Sequence, residues 1–339
     1  MKLLPSLPLA LAMAALTPTL AAAQDDGAET CIAVPDPVVS LSYGSRYTDE
    51  SEDRSDFDED SNAAVNEALG PIDDFIQELA SKANEAVRGD QAAADCVTDA
   101  ILQWAEADAL SELETMNARI SSPARIAGIA MAYLQVKQAA DLDPDAAETI
   151  DSWLVARARA AADYFDRDAP PGSSRNNLRA WAGLAAASVG EAADDDYLKS
   201  WAAHTTAVIA CQADEDGALP LEMARGPRAL HYQLHAVAPL VVSAALLDDD
   251  GYSLFDNCDG GIHRVVEFIP RAFEDPELVT EKAGEDQTYF AGDDELASFE
   301  LAWADAYLSL FEAPDLEAFV EEYRPLGNSK LGGSQSAIW

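Results

Sequence analysis

The chain has 339 residues, enough for one large or two ordinary domains, and it sets 62 Asp and Glu against 21 Lys and Arg for a formal net charge of −41. Such a charge excludes nucleic acid and anionic membrane surfaces as partners, and any polyanionic ligand must be drawn by a local basic cluster because the global field repels it. The four cysteines and four histidines match no zinc spacing, so no metal is expected, and the absence of a Gly-rich phosphate loop, a GxSxG motif or a Cys/His nucleophile pair leaves no cofactor to expect either.

Residues 1–23 combine a positive charge at Lys2, an apolar run and small residues at Ala21 and Ala23, the pattern of a secretory signal peptide cleaved after Ala23. Residues 24–339 are then expected as one domain, exported to the periplasm and acting as a monomer, with no later apolar run approaching a membrane span. All four cysteines lie after the cleavage point, which predicts two disulfides in an oxidising compartment, with three pairings open. Residues 24–45 read as an extended, Pro-containing lead. Eight acidic residues between Asp49 and Asp60 follow, a stretch that cannot pack as a core and reads as a mobile loop. Asp56, Asp58, Asp60 and Glu67 fall at positions 1, 3, 5 and 12 of an EF-hand template, but Ser61 stands where that loop needs glycine, so a solvated lead-in to a helix is expected instead of a calcium site.

From Ala63 onward the chain is Ala-rich, with apolar residues at three- and four-residue spacing and no β-branched alternation. The pattern predicts helices over 63–87, 91–107, 123–140, 144–165, 175–189, 194–212, 227–248, 260–272, 292–312 and 315–323. These form about five hairpins, which close into an α/α toroid or stack into a solenoid.

Two segments carry the chemistry. Between Asp216 and Leu240, Arg225, Arg228, His231, Tyr232 and His235 are gathered in a chain that otherwise uses cations sparingly. Pro227 suits a helix's first turn, so a helix is expected from near Gly226, with Arg228, Tyr232 and His235 on one face and His231 pointing away from Tyr232. Flanking cations then favour the phenolate and lower the tyrosine pKa. In the second segment, Ser173 to Trp181, a serine caps a helix whose first turn holds Arg175, Asn176, Asn177 and Arg179, an arrangement suited to an anion.

These residues, with Cys31-Ile-Ala-Val-Pro-Asp-Pro37, Ser45-Arg-Tyr47, Trp104-Ala-Glu106, Asn176-Asn177 before Trp181, Leu219-Pro220 with Glu222, Arg225 with Arg228-Ala-Leu230 and Tyr232, Ala283-Gly-Glu285 with Gln287, and Leu331-Gly-Gly333, run in an order that resembles the periplasmic alginate lyases, the poly(mannuronate) lyases. The resemblance covers almost the whole chain after residue 23. It implies an incomplete α/α toroid with an anionic polysaccharide in a long groove, no metal, and a lid near 46–61. By position it puts proton transfer on Tyr232 and neutralisation of the substrate carboxylate on Arg225 and Asn177. Arg228, Asn176, Trp181, His235 and Arg179, with Arg46 and Tyr47 of the lid, complete the expected binding set. The histidine that follows the asparagine in the family is Leu178 here, and Gln233, Leu234 and His235 stand where the family has His-Asn-Tyr. Proximity along such a toroid pairs Cys31 with Cys96 and Cys211 with Cys258.

The expected activity is β-elimination from a 4-linked polyuronate, mannuronate-rich alginate first, with His235 standing in for the missing imidazole. Three alternatives stay open at this point: a lyase for another uronan such as glucuronan, a polyuronate-binding protein that lost its chemistry with Leu178, and an unrelated toroid glycoside hydrolase using two carboxylates.

Overall fold

The first six long helices each begin at a side chain that replaces a missing backbone partner. Asp58 accepts from Ser61 N at 2.8 Å ahead of α1 (Glu59–Val87), and Asp90 accepts from Ala93 N at 3.1 Å ahead of α2 (Gln91–Glu106). Thr115 caps α3 (Met116–Ala139) and Asp143 caps α4 (Pro144–Arg167), while Asn176 and Asp195 cap α5 (Asn177–Ala193) and α6 (Asp196–Ala210). Asp58 is thus engaged as a helix cap, in line with a lead-in and not a calcium loop. Helix α3 starts at Met116, ahead of Pro123, because the Thr115 cap sets the start and the proline is carried inside the helix. The computed structural model describes residues 31–51, 54–288 and 295–339, so the expected signal peptide at 1–23 lies outside the described residues.

After a four-residue helix α7 (Pro220–Met223) come α8 (Ala229–Leu246) and α9 (Asn257–Glu274), then the short helices α10 (Glu277–Ala283), α11 (Ala304–Leu308), α12 (Pro314–Val320) and α13 (Gln335–Ile338). Two rows of helices result. In one, α1 packs on α3, α3 on α5, α5 on α8 and α8 on α11; in the other, α2 packs on α4, α4 on α6, α6 on α9 and α9 on α12. This is an incomplete α/α toroid, as expected from the hairpin period. Its fifth hairpin is abbreviated to α11 and α12, whereas one helix was expected over 292–312. Leu301, Ala302 and Trp303 are all 0 % exposed and lie in a turn between the 3-10 helix Ser298–Glu300 and α11. The described part of that range is broken into short pieces.

The inner row explains its own composition: α3 and α5 are buried on nearly every side, with Ala180–Gly190 buried throughout, and a helix surrounded by protein needs no polar face. The segment Gly226–Leu246 has the length and mean hydropathy (1.3) of a membrane span, contrary to the sequence expectation, but 78 % of it is buried among its neighbours as a core helix.

The C-terminal strip runs between the ring's two ends, with α13 touching both α11 and α1. Asn84 of α1 donates to Gln135 Oε1 at 2.7 Å and to Gly332 O at 3.0 Å, Gln135 Nε2 donates to Gly332 O at 2.8 Å, and Ser334 N donates to Asn84 Oδ1 at 2.7 Å. Gly332 (φ 92°) and Gly333 (φ 99°) allow this approach, since a side chain at either would meet those amides.

Both expected disulfides are formed, Cys31–Cys96 with Cα atoms 5.3 Å apart and Cys211–Cys258 with 5.4 Å. The first ties the extended lead to α2, helped by the parallel pairing of β1 (Ser40–Leu41) with β2 (Glu112–Leu113). With sequence separations of 65 and 47, chain entropy assigns each a stabilisation of about 4 kcal/mol. A Cys31→Ser/Cys96→Ser variant is expected to lose stability on that scale, read as a lower denaturant midpoint at unchanged slope.

Candidate active site

The approach to α8 is built to hold Arg225. Gly226–Arg228 forms a 3-10 turn on Pro227, and the α-helix proper starts at Ala229, slightly later than expected. Gln233, fully buried, accepts from Leu219 N at 3.0 Å and donates to Gly217 O at 2.9 Å, while Gln287 accepts from Leu230 N at 2.9 Å and donates to Gly226 O at 3.0 Å. Two side-chain amides thus fix the segment carrying the two arginines.

The Arg225 guanidinium lies over the Tyr232 ring, 3.5 Å from its centroid, and Arg228 lies 4.0 Å from the centroid of Phe57. The acidic stretch was expected to be a mobile loop, but its described residues pair into an arm. Thr48 N donates to Asp56 O and Asp58 N to Arg46 O, each at 3.0 Å, and Tyr47 and Phe57 stack with centroids 5.2 Å apart. The arm closes on the site: the Tyr47 and Tyr232 hydroxyls are hydrogen-bonded, and Arg225 donates to Arg54 O at 2.9 Å. Arg46 sits at its base, donating to Asn62 Oδ1 at 3.1 Å. Asp49, Glu50, Asp56, Glu59 and Asp60 remain exposed, so the arm turns these acids to water and Tyr47 to the site, while Phe57, still exposed on its outer side, covers Arg228.

Closure corrects the expectation that cations depress the Tyr232 pKa. Tyr232 is 8 % exposed, and burial raises its pKa despite the opposing charge of Arg225. In the closed site it is a neutral phenol. His231 does not point away: its ring lies edge-on to Tyr232 with centroids 5.0 Å apart. Burial, with Arg228 and Arg225, pushes its pKa down to about 4, and burial with His231 nearby pushes His235 down to about 3, so both imidazoles are neutral at pH 7.

His231 and His235 line a cavity of about 470 Å³ together with Trp181, Phe299, Glu300 and Lys330, whereas Tyr232, Arg225 and Asn177 are not among its lining residues. Trp181 Nε1 donates to His235 Nδ1 at 2.6 Å, which leaves the His235 proton on Nε2. Lys330 was missed from the sequence. The strip carrying it is anchored by Gly332 and Gly333, and its ammonium lies 3.1 Å from Asp73, which also pairs with Arg125 at 2.7 Å. Arg46 and Arg125 both act electrostatically on Lys330, so several cations gather near one end of the cavity. Lone cations in an acid-rich sequence were the available signal. Glu300, missed too, places Oε1 4.0 Å from His231 Nδ1, and burial raises its pKa.

The second expected segment divides. Trp181 reaches the cavity, but Asn176 is spent as the α5 cap, accepting from Leu178 N at 3.0 Å. Arg179 faces the other way: it pairs with Asp166 at 2.7 Å, donates to Phe165 O and Thr205, and lies over Trp201. It is a structural cation and not a groove residue. Asn177 is 1 % exposed, and its N and Nδ2 each donate to Glu222 at 2.7 Å. The anion expected at this helix start is the protein's own Glu222 carboxylate. Helix α5 packs on α8 with Trp181 opposite His235, and the bond to Glu222 ties the start of α5 to the turn that carries Arg225.

A family model described as Alginate lyase matches residues 36–279. The chain belongs to the alginate lyase family. The lyase is 35 % identical over 286 residues, 82 % of each chain, to a protein named polysaccharide lyase from Stenotrophomonas maltophilia (strain K279a). It is 28 % identical over 321 residues to an alginate lyase of Azotobacter chroococcum mcd 1, covering 92 % of this chain and 85 % of that one. The fold matches alginate lyase A1-III from Sphingomonas species A1 with a TM-score of 0.73 at 23 % identity, over 91 % of this chain and 85 % of that one. A variant of that lyase complexed with a tetrasaccharide matches with a TM-score of 0.75 at 22 % identity, over the same shares. The lyase is therefore a polysaccharide lyase by family.

Proposed function

We propose that this lyase cleaves a 4-linked polyuronate, mannuronate-rich alginate, by β-elimination with Tyr232 as the acid and base. The supporting observation is the Arg225 guanidinium seated on the Tyr232 ring, with His231 next to Tyr232 lining a cavity that Lys330 also lines, in a chain whose net charge is −41. The C5 proton is acidic only because it lies next to the substrate carboxylate. Arg225 and Asn177 neutralise that carboxylate as negative charge spreads onto it, which is the main stabilisation available. With the lid open the Tyr232 phenol gives its proton to solvent under the charge of Arg225; the phenolate takes the C5 proton, the C4–O bond breaks as the C4–C5 double bond forms, and the resulting hydroxyl returns the proton to the departing oxygen, which restores the phenolate. Mannuronate suits this because its C5 proton and C4 oxygen share one side of the ring. Tyr47 must leave the Tyr232 hydroxyl for a sugar to enter, so the 46–61 arm acts as a lid. The neutral imidazoles of His231 and His235 offer N–H donors to sugar hydroxyls from the cavity wall.

Leu178, in the place of the family histidine, favours glucuronan as the second substrate. Glucuronate shares the same-side arrangement, whereas guluronate needs a further acid or base. Residues 1–23 and the two disulfides support export to the periplasm. The test is to mix the purified mature protein with polymannuronate, polyguluronate and glucuronan and follow the ultraviolet absorbance of the C4–C5 unsaturated product. Absorbance rising on polymannuronate is expected. Binding without any absorbance change on all three polymers identifies a binding protein instead.

A further inference from the structure

The reaction above leaves one buried acid without a role. Glu222 on α7 is 1 % exposed and makes no ion pair among the described residues, yet both its oxygens are taken by a single neighbour. Asn177 N donates to Oε1 and Asn177 Nδ2 to Oε2, each at 2.7 Å. A carboxyl group is costly to bury even with the charge of Arg225 nearby, and a hydrogen-bond acceptor needed only for the start of α5 would be supplied at less cost by a neutral side chain.

We propose that Glu222 is a positioning residue for the elimination, fixing the Asn177 carboxamide so that an N–H, and not its C=O, is presented to the substrate carboxylate. This rests on the reading of Asn177 as a carboxylate-neutralising group. Burial pushes the Glu222 pKa up to about 7 against the two bonds from Asn177 and the charge of Arg225, and both of its oxygens accept from Asn177. The ionised form has only acceptor positions, so it turns the amide nitrogen towards Glu222; the reverse rotamer sets Oδ1 against Oε2. With one Nδ2 hydrogen held and the backbone N–H of the same residue held by the other oxygen, the direction of the second Nδ2 hydrogen is fixed. The same glutamate also accepts, through its carbonyl, from Arg225 N at 3.0 Å. Both groups assigned to the substrate carboxylate are thus referenced to one residue, across the junction between α5 and α7. A glutamine there offers an N–H of its own, which the flipped Asn177 accepts equally well, so the orientation is lost while the packing is kept.

The experiment compares kcat, KM and Tm of the mature lyase with Glu222→Gln, Glu222→Asp, Asn177→Ala and the Glu222→Gln/Asn177→Ala pair, on mannuronate-rich alginate. Glu222→Gln is expected to lower kcat by about 10-fold or more, with KM within about 3-fold and Tm not reduced, since a buried charge has been removed. Glu222→Asp, still acceptor-only, is expected to retain more kcat than Glu222→Gln. In the Asn177→Ala background Glu222→Gln is expected to cost nothing further. An equal kcat loss in both backgrounds, a loss that tracks a fall in Tm, or an unchanged kcat overturns the positioning role and leaves the Asn177 reading standing. Full kcat in Asn177→Ala alone overturns that underlying reading, and this role with it.

Discussion

Tyr232→Phe is expected to reduce the rate of unsaturated-product formation by about 10²- to 10⁴-fold while the polymer still binds. The hydroxyl is the atom assigned to both proton transfers, whereas the ring that supports Arg225 at 3.5 Å is kept, so the cation that recognises the carboxylate stays in place. The lost hydrogen bond to Tyr47 costs about 1 kcal/mol at most, and the variant is expected to fold. Steady-state turnover read beside calorimetric binding of polymannuronate checks both halves. A Phe variant within about 10-fold of wild type moves the proton transfer to another group, with His231, whose ring lies 5.0 Å from Tyr232, the first to be tested.

Arg225→Ala is expected to damage binding and turnover together, lowering kcat/KM by about 10²- to 10³-fold with a raised KM. The guanidinium meets the substrate carboxylate in the ground state and counters the charge that grows on it during elimination, so its loss enters both constants. It also holds the lid through Arg54 O at 2.9 Å, and that contact is lost as well. Arg225→Lys is expected to recover little, because an ammonium cannot lie flat on the tyrosine ring while directing a second fork of donors elsewhere. Kinetics that show a raised KM and an unchanged kcat assign Arg225 to uniform binding alone and leave the intermediate to other groups.

The pairing of Arg225 with Tyr232 was legible in the sequence, because seven residues spanning a Pro-containing turn and one helical turn bring them to the same end of α8. The partners of Asn177 and Arg179 were not. Both stand in the first turn of α5, but one bonds Glu222 ahead of α8 and the other bonds Asp166 on α4, and a helix start does not show which side of it faces the groove. His231 was read as turned away from Tyr232 because ideal helical geometry separates successive side chains; the packed rings meet edge-on regardless. Leu178, the departure from the family pattern, lies partly exposed against the core, and a site residue replaced by an apolar one leaves no signal of what has taken its place.

The sequence by itself determined the helical hairpins and the need for a local cationic site, because apolar periods and charge balance are properties of neighbouring residues. The tertiary structure decided the ionisation of Tyr232 and the two imidazoles, since burial depends on the lid and on helices far away in the chain. It also decided which acids face water: the arm that reads as a repelling acidic loop presents Tyr47 to the site and leaves Asp49, Glu50, Asp56, Glu59 and Asp60 in solvent. The cavity wall closes only when Lys330, near the end of the chain, is held against α1 by the Asn84 and Gln135 amides, a contact between residues about 250 positions apart. No local pattern encodes such a contact, because its energy comes from satisfying buried polar groups that meet only once the ring of helices has formed.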